Sequence, residues 1–280
     1  MQDTLKYIRE SLAGCIDRSE VNSMSRYIIE DVTGLPFSTI LTDKSKQITA
    51  EQRKSIDKII SRLQNFEPIQ YILGHCEFYG LSFNVKPGAL IPRPETEELV
   101  DLIIKNHQNE SSSILDIGTG SGCIAISLAK NLPDSTLEAW DVSADALNIA
   151  KENASKNKVS INFRLINVLQ DVPLDTKFDV IVSNPPYVLD SEKTDMEKHV
   201  LNHEPHLALF VPDNKALMFY DRIADIAKTL LTSNGHLYFE INSMKGQEAV
   251  EMLEKKGFAD VCLVQDIYGK DRIVKAKRLN

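Results

Sequence analysis

From Ser112 onward the chain alternates short β-rich runs with amphipathic helical ones: Ile114–Ile117, Ile124–Lys130, Leu137–Asp141, Ala144–Asn157, Ile161–Ile166 and Val180–Ser183. Parallel strands can be joined only through a crossover, and the crossover helix must bury its apolar stripe on the sheet. Strict alternation therefore predicts βαβ units in an α/β, doubly wound, mostly parallel sheet covered on both faces. A helix near Ala216–Leu231, a strand at Gly235–Ile241 and a helix near Gly246–Lys256 continue it. Phe258–Gln265 and Asp271–Ala276, split by Tyr268-Gly269-Lys270, read as a closing antiparallel hairpin.

Residues 1–66 have a different period. Leu5, Ile8, Leu12 and Ile16 recur at helical spacing, and Ile56, Ile59, Ile60, Leu63 and Phe66 repeat the pattern, predicting a small helical unit. Between Pro68 and Pro94 the texture turns to glycine, proline and aromatics, with a hairpin expected around Phe78–Val85. The expected organisation is a helical domain over 1–73, a hairpin connector over 74–89 and the α/β domain over 90–280. A chain of 280 residues, 42% of them hydrophobic, has enough apolar material for two such cores.

The net charge of −8 is spread: residues 1–77 carry 10 basic and 11 acidic side chains, the remainder 22 and 29. Neither part is a basic arm, so direct nucleic-acid binding is not expected. Cys15, Cys76, Cys123 and Cys262 form no Cys-x-x-Cys pair, which predicts reduced thiols and a cytoplasmic protein. Acidic residues interrupt the first thirty positions, and no stretch approaches the roughly 18 apolar residues of a membrane span, so no secretory signal and no membrane association are expected.

The first strand of the α/β part runs into Asp116-Ile117-Gly118-Thr119-Gly120-Ser121-Gly122 and then a helix. Glycines let the backbone turn sharply and approach a ligand, and a helix N-terminus offers N–H groups to it. A dinucleotide fingerprint would place its third glycine where Cys123 stands; the spacing here is Gly-x-Gly-x-Gly. Asp141 closes the second strand, where such a sheet presents a carboxylate to ribose hydroxyls. This loop leaves NAD and S-adenosylmethionine both open.

The fourth strand ends in Asn184-Pro185-Pro186-Tyr187. Pro185 keeps Asn184 out of the helical region, and two prolines supply carbonyls without N–H groups, so a stiff, acceptor-rich loop leaves the sheet beside the cofactor crevice. A ligand NH₂ group there can donate to the Asn184 side-chain oxygen and the Pro185 carbonyl while Tyr187 covers its flat face. Such a clamp suits an amide or aryl-amine nitrogen, whose lone pair is delocalised: orientation and preorganised acceptors draw density back onto nitrogen.

Asp116–Gly122, Asp141 and Asn184–Tyr187 together resemble the amino-methylating class I S-adenosylmethionine-dependent methyltransferases, which implies a seven-stranded sheet. Leu90-Ile91-Pro92-Arg93-Pro94-Glu95-Thr96-Glu97, Pro68–Gly74, Phe78–Leu81, Glu204-Pro205 and Asp266–Arg272 narrow the resemblance to the HemK/PrmC family of protein-(glutamine-N5) methyltransferases acting on class 1 peptide chain release factors. The resemblance implies that Gly118, Thr119, Gly120, Ser121, Gly122 and Asp141 hold the cofactor. Asn184 touches cofactor and substrate, and Pro185, Pro186 and Tyr187 shape the glutamine slot; Asn184, Pro185 and Tyr187 carry the catalytic roles. The acidic residue and aromatic that the family places beside the adenine are here Asn167 and Val168, the first still able to accept from the adenine amino group, the second a smaller packing partner.

Arg93, Glu95 and Thr96 read either as a plain helix start or, by the resemblance, as lining the site; Glu204 is a weaker candidate for its border. His199, His203 and His206 are not expected to hold a metal, because Pro205 interrupts any helix that would aim them together. The alternatives are an adenine-N6 DNA or RNA methyltransferase, since an exocyclic amine poses the same chemical problem, and an inactive binding module on the same scaffold.

Overall fold

The computed structural model describes residues 1–42 and 47–279. They fall into two compact units, Met1–Gly74 with Glu197–His203, and His75–Met196 with Glu204–Asn280.

The first unit is helical: α1 (Gln2–Leu12), α2 (Arg18–Thr33), α3 (Phe37–Thr42), α4 (Ala50–Gln64) and α5 (Ile69–Leu73), joined by α9 (Lys198–His203) from later in the chain. Thr49 and Gln52 exchange the bonds of a capping box at the start of α4, and Gly34 ends α2 in the left-handed region at φ 65°. The predicted stripe forms the core, with Leu5, Ile8, Leu12, Ile56, Ile60 and Leu63 buried against Ile28 and Ile29. Phe66 departs from it: α4 stops at Gln64, and Phe66 lies beyond in left-handed backbone, 37% exposed.

The second unit opens with a hairpin, β1 (His75–Phe78) and β2 (Leu81–Asn84), then α6 (Pro94–His107). The sheet follows with β3 (Ser113–Ile117), α7 (Cys123–Asn131), β4 (Thr136–Asp141), α8 (Ala144–Asn157), β5 (Asn162–Leu165) and β6 (Phe178–Ser183). A two-residue bridge pairs β7 (Val188–Leu189) with β8 (Phe210–Val211), and α10 (Met218–Leu230), β9 (Leu231–Glu240), α11 (Gly246–Lys255), β10 (Phe258–Gln265) and β11 (Asp271–Arg278) close the chain. The seven strands lie in the order β10-β11-β9-β6-β3-β4-β5. The five from β9 to β5 are parallel, and β11 alone runs against them, antiparallel to both β9 and β10, in the doubly wound sheet expected.

Side-chain alternation sorts the strands onto two faces. Leu115, Ile117, Ile181, Leu237 and Phe239 pack on α10 and α11, and Ile114, Val180, Val182 and Tyr238 pack on α6 and α7. The order reverses at β3, whose neighbours β4 and β6 lie on opposite sides, so the carboxyl ends of these three strands flank the crevice.

The stretch 74–89 is not a free-standing connector. Its hairpin starts at His75, turns at Tyr79-Gly80 with φ of 48° and 69°, and buries Phe78 and Phe83 in the α/β core. Asn153 of α8 accepts the Asn84 amide and returns its NH₂ to the carbonyls of Asn84 and Ser121, tying hairpin, helix and glycine loop together.

Candidate active site

Strand register decides which residues meet at the carboxyl edge. Ile117 pairs with Trp140 and Ser183 with Phe239, so Gly118 and Asp141 leave their strands at one level, and Asn184 and Glu240 at another. The Gly118 and Thr119 amides both donate to Trp140 O, at 2.8 and 3.0 Å, folding the loop back over β4. Asp141 accepts the Gly120 amide on Oδ2 and the Ser143 amide on Oδ1, each at 2.8 Å. Each carboxylate oxygen keeps acceptor capacity for a hydroxyl from the cleft. Burial raises the Asp141 pKa, and the three backbone amides facing it oppose that shift.

The three glycines differ in purpose. A Cβ on Gly118 or Gly120 would meet nothing within 4 Å, so their positive φ, 74° and 56°, is what requires glycine. On Gly122 it would fall 2.9 Å from Ile126 Cδ1 and 3.1 Å from Ala150 Cβ, so this glycine seats α7 against α8. Thr119 and Ser121 are buried beneath the loop, and the Thr119 hydroxyl donates to Asp116 Oδ2 at 2.7 Å. The side chains of Thr119 and Ser121, and Gly122, thus lie outside the cleft wall and shape the loop from behind. Burial pushes the Asp116 carboxyl up to about 7, opposed by the Thr119 hydroxyl and the Ala125 amide; its Oδ1 has no partner among the described residues.

The cleft, about 1030 Å³ with its open mouth, is lined by Gly118, Gly120, Asp141, Asn167, Val168, Asn184, Pro185 and Pro186 among the expected residues. Asn167 also closes an Asx turn, its oxygen accepting the Leu169 amide at 3.0 Å, which leaves one lone pair for a ligand. Gly88, Ala89 and Leu90 from the hairpin's exit, Leu207, and Phe219 and Ile223 of α10 complete the wall. Leu90 heads a motif that carries the resemblance; nothing local marked the others, which are gathered only by the fold.

At the end of β6 the Ser183 hydroxyl donates to Ile117 O at 2.7 Å, joining the two strand ends. Asn184 is half-buried; its NH₂ donates to Thr96 Oγ1 at 3.3 Å, and its carboxamide oxygen has no partner among the described residues. Thr96 donates in turn to Glu240 Oε2 at 2.6 Å, and the Tyr187 hydroxyl donates to Glu240 Oε1 at 3.1 Å. Burial raises the pKa of Glu240, and those two hydroxyls hold it down. Burial and the Glu240 carboxylate drive the Tyr187 phenol well above its ordinary range, so it stays a neutral donor. The Tyr187 ring, expected over the flat face of the bound amide, packs against the core and is not among the residues that line this cleft.

Glu204, buried, accepts the Ile91 amide on Oε2 at 3.1 Å and Arg93 on Oε1 at 2.5 Å. It therefore fastens the segment leading into α6 and makes no wall of the cleft. Glu240 is not among the residues that the sequence motifs single out, although a lone acid ending the apolar run Leu237-Tyr238-Phe239 is a legible signal.

Residues 3–74 match the PrmC N-terminal domain and residues 96–207 the methyltransferase small domain. The chain is 50% identical to the release factor glutamine methyltransferase of Bacteroides thetaiotaomicron, over 97% of this chain and 98% of that protein. It is 48% identical to that of Flavobacterium psychrophilum, over 95% of each. In fold it is similar to the hMettl16 catalytic domain, with a TM-score of 0.59 at 21% identity over 77% of this chain and 83% of that one. A methyltransferase from Pyrococcus furiosus gives 0.54 at 16% identity, over 83% and 100%. With two near full-length relatives at about half identity, the chain belongs to the release factor glutamine methyltransferase family.

Proposed function

We propose that this enzyme methylates the side-chain amide nitrogen, N5, of the glutamine in the Gly-Gly-Gln loop of peptide chain release factors, with S-adenosylmethionine as donor. The observation that carries the reading is the Asn184 carboxamide: its nitrogen is engaged by Thr96 and its oxygen is left to the cleft, beside the glycine loop.

The residues present fit the cofactor. Gly118 and Gly120 leave a cradle that side chains would fill, Asp141 retains acceptor capacity for the ribose hydroxyls, and Val142, Ile166 and Val168 offer an apolar slot for the adenine. S-adenosylmethionine supplies an electrophilic methyl carbon on a sulfonium. The chain's task is then to present the amide. Asn184 Oδ1 accepts one amide hydrogen, the Pro185 carbonyl takes the other, and Tyr187 stiffens the loop through Glu240. Holding both hydrogens turns the nitrogen lone pair toward the methyl carbon; the carbon–nitrogen bond would form as the carbon–sulfur bond breaks, its electron pair staying on sulfur as a neutral thioether, and the surplus amide proton then leaves to solvent. No strong base is required.

The helical unit, free of recognisable chemistry, serves in recognising the folded release factor. Unpaired cysteines support a cytoplasmic setting, and among the described residues no helix is long and apolar enough to cross a membrane. Incubation with labelled S-adenosylmethionine tests the reading: a release factor should take label, the same factor with its loop glutamine replaced should not, and adenine-containing duplex DNA should stay unlabelled. Labelled DNA with an inert release factor would transfer the case to adenine-N6 methylation. Asn184→Ala should lower methyl transfer by about 10²-fold while cofactor affinity changes far less.

A further inference from the structure

We propose that Glu240, acting through the Thr96 hydroxyl, sets which edge of the Asn184 carboxamide faces the substrate, making Glu240 and Thr96 positioning residues for methyl transfer. The inference rests on the reading that Asn184 accepts a hydrogen from the glutamine amide.

A carboxamide has an acceptor edge and a donor edge of nearly equal shape, so its orientation is chosen by its partners. The partner of Asn184 is Thr96 Oγ1 at 3.3 Å, and Thr96 lies 2.6 Å from Glu240 Oε2. A hydroxyl has one proton. With Glu240 ionised, the form that the Thr96 and Tyr187 hydroxyls and the nearby Arg272 guanidinium favour against burial, the carboxylate accepts only, so that proton is committed to Glu240 and Thr96 can meet Asn184 only with a lone pair. Asn184 must then answer with its NH₂, which leaves Oδ1 for the cleft. The second oxygen of Glu240 takes the Tyr187 proton in the same sense, at 3.1 Å, so no donor on that side competes to reverse the chain. Reversal would turn the Asn184 NH₂ toward the substrate NH₂, donor against donor, and the glutamine would lose its clamp.

The cost of this arrangement argues for a purpose beyond packing. Glu240 is 1% exposed, and its side chain has no ion-pair partner among the described residues; the nearby Arg272 guanidinium is bonded to Asp266. An apolar residue ending β9 would avoid the desolvation of a buried carboxylate. Thr96 and Glu240 are 144 residues apart, yet Asn184 and Glu240 emerge at the same level of adjacent strands with α6 placing Thr96 between them.

The test compares Thr96→Val, Thr96→Ser, Glu240→Gln, the combined Thr96→Val/Glu240→Gln variant and Asn184→Ala, with a release factor as substrate and calorimetric S-adenosylmethionine binding as the check of folding. Thr96→Val and Glu240→Gln should each lower kcat about tenfold or more, with KM and cofactor Kd within about twofold of wild type. Thr96→Ser, which keeps the hydroxyl, should restore kcat to within about threefold, and the combined variant should be no worse than the poorer single one, because the two residues act in series. If Thr96→Val does not fold, Glu240→Gln, which conserves volume, decides the matter with Thr96→Ser. Unchanged kcat in Glu240→Gln beside a crippled Asn184→Ala overturns the relay and leaves the Asn184 reading standing. Losses that simply add, together with weakened cofactor binding, assign the pair a structural role and also overturn it. A fully active Asn184→Ala overturns the reading of the site itself.

Discussion

Asp141 holds the Gly120 amide at 2.8 Å, so the carboxylate positioned to receive a ribose also shapes the loop over which the cofactor would lie. Removing it should have two effects. Asp141→Ala should weaken S-adenosylmethionine binding by about 2 kcal/mol or more, through loss of a charge-assisted acceptor and loosening of the loop. It should also lower the melting temperature without ligand. Asp141→Asn, which sets an NH₂ group against one of two N–H donors, should fall between. Calorimetry and thermal melts on all three proteins check this.

Two glycines four positions apart, at opposite ends of the same loop, should fail differently. Gly122→Ala places a methyl 2.9 Å from Ile126 Cδ1 at a φ of 82°, and should cost about 1–3 kcal/mol of stability in the absence of cofactor. Gly118→Ala, strained by its φ of 74° but with open space around its Cβ, should lose less stability than Gly122→Ala yet bind cofactor more weakly, since the added methyl projects where the ligand must approach. Denaturation midpoints and cofactor Kd values, measured side by side, separate the two.

Asp116 should leave a signature in the pH dependence of stability. Its folded value, about 7, stands above its ordinary value of 3.8. The folded state therefore holds a proton that the unfolded state releases, and the stabilisation is present below pH 3.8 and lost as pH rises through about 7. Asp116→Asn, neutral throughout, should gain on the wild type between pH 5 and pH 8 by on the order of 2 kcal/mol. Urea denaturation of both proteins at the two pH values reads the difference, and parallel curves would show that Asp116 is ionised throughout.

A chain beginning at His75 should retain cofactor binding, whereas one beginning at Pro87 should be markedly less stable. The reason is that Phe78 and Phe83, at 1% and 0% exposure, fill the α/β core. Loss of two buried phenylalanines of this kind costs about 3–5 kcal/mol each when truncated to alanine. Without the helical unit, methylation of a folded release factor should drop sharply even where cofactor binding survives; full activity would remove the proposed recognition role.

The alternation of strand and helix, the glycine loop after β3, Asp141 ending β4 and Asn184 ending β6 were all legible in the sequence. Each depends on neighbours within a few residues: the side-chain period is local, a glycine's freedom is its own, and a strand's last residue lies at the edge wherever the strand sits in the sheet. What tertiary structure decided is which of these edges adjoin. Strand order brings β9 beside β6, and register brings Glu240 level with Asn184, so an acid 56 positions further along the chain comes to face the same threonine. The same holds for Glu204 reaching back to Arg93, for the hairpin joining the α/β core, and for Thr119, Ser121 and Gly122 turning inward behind the loop. Local sequence carries the shape of each element, but the burial of two apolar faces against different helices selects their order and register. That choice is made by the whole core at once.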